Sequence, residues 1–306
     1  MAKLLLPIVK ERTTTTHKKH LSHLENSNES VMLFGDSMIE RFETTGRSLL
    51  PHFSEKFALC GVGGDGISNM LWRIQNDLPE HIPQSMKTIM ILAGTNNIEN
   101  VNEEELITGY MNMITELVHR RQIIAGRNAI GYLVLFALPP RDSTVKKLSH
   151  ISLNLRIQTF NQRLSTIDSV CGVAVTYVDP WDPIRNPSDG SKLPEFFDDH
   201  VHLNTAGYDI FLKSILQTYD TLIGRKNGEY SSKENCAACQ DIPHNAKQLE
   251  ITNDFICRNV IAAVLKASVE GSTAPAATFV RKMFGYSDTP DEVNNMILKI
   301  YHTQQY

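Results

Sequence analysis

Val31-Met32-Leu33-Phe34-Gly35-Asp36-Ser37 is the stretch on which the reading of this chain turns. Four consecutive apolar residues closed by a small-residue turn describe a strand buried on both faces, ending at the edge of a sheet. What that strand delivers to the edge is a serine. Further apolar runs at residues 57–60, 88–93, 132–136 and 173–178 are likewise continuous rather than alternating. Between them lie helical patterns at residues 67–76, 103–121, 148–167 and 205–222. Strands alternating with helices predict right-handed βαβ units, hence an α/β fold: a three-layer α/β/α sandwich around a five-stranded parallel sheet. In such sheets ligands bind beyond the carboxyl ends of the strands. Three of those ends carry polar, glycine-rich turns: Gly35-Asp36-Ser37, Gly61-Val62-Gly63-Gly64-Asp65 and Gly94-Thr95-Asn96-Asn97.

The sandwich is expected over residues 30–223. Residues 1–29 are polar and read as a flexible lead-in, and the basic cluster at 10–19 as a solvated tail. Residues 224–235 read as a linker. Residues 236–306 are expected to form a small helical extension without an assigned role. It has helical periodicity over 256–269 and a capping-box pattern at Thr289-Pro290-Asp291-Glu292.

Composition narrows the function classes. A net charge of −4 with no clustered basic surface argues against nucleic acid as a partner. No segment approaches the ~20 apolar residues of a membrane helix. Residues 4–9 are too short for a secretory core and are followed by no small-residue cleavage site. Five scattered cysteines, an odd number, suggest reduced thiols and a cytoplasmic protein.

The chemistry rests on residues far apart in sequence. A serine hydroxyl becomes a useful nucleophile when a histidine takes its proton and a carboxylate orients that histidine. Ser37 is the candidate nucleophile, His202 the base and Asp199, three residues before it, the orienter. The N–H groups of Ser37 and Gly64 and the side-chain amide of Asn96 are candidate donors to a developing oxyanion. Each residue also has a plainer reading. Asp36-Ser37 could merely cap a helix, Gly64 could belong to an ordinary turn, and Asn96 could make an Asx turn. Gly61, Gly63 and Gly66 match G-x-G-x-x-G, but no acidic residue ends the following strand, which disfavours a dinucleotide site. Asp199 and His202 could ligate a metal, yet Asp36 and Asp65 are the only local candidates to complete it. No metal and no cofactor are therefore expected. The constellation reads as a serine esterase.

Taken together, the four blocks resemble the SGNH (GDSL-type) hydrolases. Gly35-Asp36-Ser37 matches the first block, Gly64 the second, Gly94-Thr95-Asn96-Asn97 the third and Asp199-His200-Val201-His202 the last. Within that family Gly63-Gly64-Asp65, Leu71-Trp72-Arg73, Leu138-Pro139 and Gly207-Tyr208 are similar to the intracellular platelet-activating-factor acetylhydrolase catalytic subunits. The resemblance implies a flavodoxin-like fold, cofactor-free hydrolysis of short acyl esters of a small molecule or lipid, and a homodimer. It assigns Ser37, Asp199 and His202 as the triad and Ser37, Gly64 and Asn96 as the oxyanion hole. The chain departs from the pattern at Gly66, where threonine is usual, and in its extension beyond Ile223.

Other readings remain open on sequence alone. The same triad could transfer an acyl group to an acceptor other than water. The fold could serve as a scaffold that recruits a protein partner through the C-terminal extension. Cys236, Cys239, His244 and Cys257 could hold zinc, although only one Cys-x-x-Cys pair is present. His200 is a rival base lacking a carboxylate at the matching spacing. Trp72 and Trp181 both read as packing residues, Trp181 being the better candidate of the two for lining a pocket.

Overall fold

The computed structural model describes residues 4, 6–52, 56–145 and 148–227, all within the first of two compact units of the chain. The linker, the C-terminal extension and the Cys236, Cys239, His244 and Cys257 cluster lie outside the described residues. In chain order the elements are α1 (Glu11–Glu25), β1 (Val31–Gly35), α2 (Ser37–Glu40), β2 (Phe57–Gly61), α3 (Ile67–Gln75), α4 (Leu78–His81), β3 (Thr88–Leu92), α5 (Glu103–Ala125), β4 (Tyr132–Phe136), α6 (His150–Ser165), β5 (Ser169–Val170), β6 (Val173–Val178) and α7 (Thr205–Asn227).

The sheet runs β2-β1-β3-β4-β6-β5, parallel except for β5. Every residue of β1 and β3 is buried, which is why their sequences show no alternation. From β1 the chain goes first outward to β2 and then back across to β3. The order therefore reverses at β1, and the loops after β1, β2 and β3 flank an opening at their carboxyl ends. The first of those loops begins at Asp36 and Ser37.

The sheet has six strands rather than the expected five. The extra strand, β5, is a two-residue piece turned back on β6 through Cys171 and Gly172, with φ of 49° and 78°. Two consecutive positive φ values are the mark of a tight hairpin turn. A cysteine in the first of those positions is an uncommon choice, so the sequence carried no turn signal there.

The N-terminal lead-in also differs from its reading. Residues 11–25 form α1, which buries Thr13, His17, His20 and Leu24. Those four positions recur at helical spacing, but three of them are polar, so the stripe does not register as apolar. Most of their polar atoms are met inside the fold, His17 Nδ1 being buried without a hydrogen-bond partner. His17 Nε2 hydrogen-bonds Asn76 O at 2.6 Å, and Arg73 Nη2 donates to His20 Nδ1 at 3.0 Å. Trp72 packs edge-on against the His17 ring. Trp181 is wholly buried, with its indole N–H donated to Ala137 O at 2.7 Å and its ring against Phe211. It is a core residue, not a pocket wall. Among the described residues no helix is long and apolar enough to cross a membrane.

Burial, aided by the charge of Arg73, lowers the pKa of His20 to about 3 from 6.5. The unfolded chain therefore binds a proton that the folded one refuses between those two values. This contribution to stability is whole above about pH 6.5 and shrinks as the pH falls. At pH 5 the loss on this account is about 2 kcal/mol, 1.5 pH units at ~1.4 kcal/mol each. Urea unfolding at pH 7 and pH 5 is expected to show a smaller drop for His20→Gln than for the wild type, by about that amount. Equal drops would contradict the assignment.

Candidate active site

Asp36 caps α2, its Oδ1 accepting the N–H of Met38 at 2.9 Å. The cap starts the helix at Ser37, whose own N–H is one of the first-turn donors that a helix cannot satisfy internally. Asp36 is fully buried, and burial pushes its carboxyl up to about 7 against the pull of the Met38 N–H. The residue beside the serine is thus only partly ionised near neutral pH.

Ser37 is 7% exposed, and its Oγ lies 3.0 Å from His202 Nε2. His202 Nδ1 lies 2.7 Å from Asp199 Oδ2. The other carboxylate oxygen of Asp199 accepts the N–H groups of Val201 and His202, both at 2.8 Å. One aspartate therefore shapes the turn and holds the ring. Burial alone would raise the Asp199 pKa. The His202 N–H, the His202 ring and the Val201 N–H outweigh it and hold the carboxyl well below the ordinary range. An ionised Asp199 keeps the proton on Nδ1 and leaves Nε2 facing the hydroxyl.

Across from Ser37 the loop after β2 carries Gly64 at φ +79°, a conformation that disfavours any side chain. Gly64 is exposed, and Asn96 is exposed beside it. One hydrogen of the Asn96 amide goes to Asp65 O at 2.9 Å. That bond orients the amide and leaves its second hydrogen for a ligand. Asn97 follows a different course: its Oδ1 accepts the N–H of Ile67 and anchors the start of α3. A Cβ at residue 66 would stand 2.9 Å from that amide, which accounts for Gly66 where the family pattern has threonine.

The structure thus brings Ser37, His202 and Asp199 into one hydrogen-bonded line, with Gly64 and Asn96 tied to each other through Asp65. It does not bring His200 there. The His200 side chain is 71% exposed and its Nδ1 lies 3.6 Å from Asp142 instead. Among the described residues no group of three or more His, Cys, Asp or Glu could hold a metal ion.

Several supporting residues escaped the sequence reading. Lys192 Nζ donates to Asp199 O at 2.6 Å and pairs with Asp142 at 2.9 Å, while the Asp142 N–H donates to His200 O. Arg141 is buried and donates to Thr95 O at 2.7 Å, next to Asn96, with Glu99 3.4 Å away. Arg41 stands 3.8 Å from Asp199. Lys192, Asp142 and Arg141 lie in loops with no periodicity, Arg41 begins a single 3₁₀ turn after α2, and most of the partners are distant in sequence. Nothing local could have marked them.

Comparison with known proteins agrees with this arrangement of elements. The chain is 26% identical over 221 residues to the human platelet-activating factor acetylhydrolase IB subunit alpha1, covering 71% of this chain and 87% of that one. It is 29% identical over 150 residues to the alpha2 subunit of Rattus norvegicus, covering 47% and 62% respectively. A GDSL-like lipase from Bacteroides thetaiotaomicron shares the fold with a TM-score of 0.51 at 18% identity, over 69% of this chain and 98% of that one. Residues 33–210, more than half of the chain, match the GDSL-like lipase/acylhydrolase family. The chain belongs to that family of carboxylic ester hydrolases.

Proposed function

We propose that the protein hydrolyses short acyl esters, of acetyl type, through an acyl-enzyme on Ser37. The observation that carries this reading is the unbroken line from Ser37 Oγ through His202 to Asp199, at 3.0 Å and 2.7 Å. His202 Nε2 takes the hydroxyl proton as Oγ attacks the ester carbonyl, and Asp199 stabilises the imidazolium that forms. The carbonyl oxygen becomes an oxyanion facing the N–H groups of Ser37 and Gly64 and the free amide hydrogen of Asn96. Collapse of the tetrahedral species breaks the carbon–oxygen bond to the alcohol, which leaves with the proton from His202. A water then gives its proton to His202 and attacks the acyl-serine, and collapse of the second tetrahedral species releases the acid as Ser37 Oγ takes that proton back from His202.

The preference for a short acyl group is supported by the acetylhydrolase relatives, whose sequences align along 71% of this chain. No step requires a metal or an organic cofactor.

Purified protein is expected to hydrolyse p-nitrophenyl acetate with a higher kcat/KM than the octanoate ester. Ser37→Ala should lower kcat by roughly 10⁴-fold or more. Turnover at the wild-type rate in that variant would remove Ser37 from the reaction. Asn96→Ala should cut kcat by about 10²–10³-fold while KM changes little, because its hydrogen bond forms fully only with the oxyanion. A rise in KM at constant kcat would instead make Asn96 a ground-state binding group.

A further inference from the structure

The first turn of α1 faces the loop that carries Gly64. Lys10 Nζ, at the helix start, donates to Gly64 O at 2.6 Å. Arg12 pairs with Glu40 of α2 at 2.7 Å and closes over Gly63, where a Cβ would meet its Nη2 at 2.7 Å. Thr13 Oγ1 donates to Asp65 Oδ1 at 2.6 Å. Three consecutive loop residues, 63, 64 and 65, are each met by a different side chain of one helix turn.

Thr13 is the telling member. A threonine inside a helix ordinarily returns its hydroxyl to the carbonyl four residues back, as Thr14 does to Lys10 O. Thr13 stands one position too early for that, since Val9 precedes the helix, and its fully buried hydroxyl goes to the fully buried Asp65 carboxylate. The second oxygen of that carboxylate lies 3.6 Å from Arg73 Nη1, and the carbonyl of the same residue holds the Asn96 amide. Burial pushes the Asp65 carboxyl up, and the Thr13 hydroxyl is the foremost influence opposing it, ahead of Arg73 and Lys10. Residue 65 therefore joins Gly64 through the chain and Asn96 through a hydrogen bond. A shift of Asp65 moves both donors at once.

We propose that α1 is part of the catalytic apparatus: Thr13, seconded by Lys10, is a positioning residue that fixes where the Gly64 N–H and the Asn96 amide point. The inference rests on the oxyanion-hole reading above and deepens it. A merely structural α1 would contribute to stability without touching the chemical step. A positioning α1 acts on kcat, since misplacing a donor by a fraction of an ångström weakens the interaction made in the transition state.

The test uses the full chain. Thr13→Val removes the hydroxyl at constant shape, Thr13→Ser keeps it, and Lys10→Met removes the ammonium from the surface. The readouts are kcat and KM on p-nitrophenyl acetate and the rate at which a small organophosphate modifies Ser37, a reaction that places a phosphoryl oxygen in the same hole. Thr13→Val is expected to lower kcat and the modification rate in parallel, by about tenfold or more, with KM within about twofold. Thr13→Ser should restore both, and Lys10→Met should lower both by about threefold. Wild-type rates in Thr13→Val, or a Thr13→Ser as impaired as Thr13→Val, would overturn the proposal. Should Thr13→Val fail to fold, Lys10→Met decides by the same two rates, wild-type values counting against. The failures are separable. Activity surviving in Ser37→Ala removes the underlying mechanism, whereas an inactive Ser37→Ala beside fully active Thr13→Val and Lys10→Met removes only the brace.

Discussion

A guanidinium with no access to water is costly unless its donors are met, and the buried Arg73 imposes that demand on everything around it. Its Nη2 donates to Cys60 O at 2.9 Å and to His20, its Nη1 reaches Gly35 O at 3.5 Å and the Asp65 carboxylate, and its plane lies 4.7 Å over the Phe34 ring. Those partners are the last residues of β1 and β2, the loop between β2 and α3, and the middle of α1. These contacts, which leave Nε unmet, therefore set the relative positions of the strand ends that present Ser37 and Gly64. Asp65 depends on the same contact, because a carboxylate buried without its counter-ion costs about 3–5 kcal/mol. Fold and site share this interaction.

The second support of the site is electrostatic in another way. The segment with Asp199 and His202 is irregular and half-exposed, spanning the buried Phe197 and Leu203. Lys192, with its side chain 8% exposed, joins the Asp199 carbonyl to Asp142, and the Lys192 ammonium also lies 4.9 Å over the Phe197 ring. Asp142 in turn anchors the main chain at His200. A loop fixed by charge-assisted bonds to backbone keeps its shape without surrendering access to solvent, which an imidazole moving protons requires.

What could be read beforehand follows from which forces are local. The five long strands and four main helices were legible because continuous apolar runs and helical periodicity report burial directly. Ser37, Gly64, Asn96, Asp199 and His202 were legible as a set because each stands at a strand end or before a helix, where function gathers in this type of sheet. α1 was not legible, since its buried face of Thr13, His17, His20 and Leu24 is chosen for hydrogen bonds rather than for hydrophobicity. Trp181 was legible as packing, though not in its partners. Its position after β6 also suggested a pocket, while the fold closed over it and matched its N–H to Ala137. Lys192 and Arg141 act through partners that only the folded chain brings near.

The two-residue strand β5 also governs how copies of the molecule can meet. Laid antiparallel on β6 and ended by the Cys171-Gly172 turn, it offers an incoming chain almost no row of free backbone groups. Among the described residues, extension of the sheet is thereby blunted at Val173 and Ala174, the two positions of β6 that β5 covers.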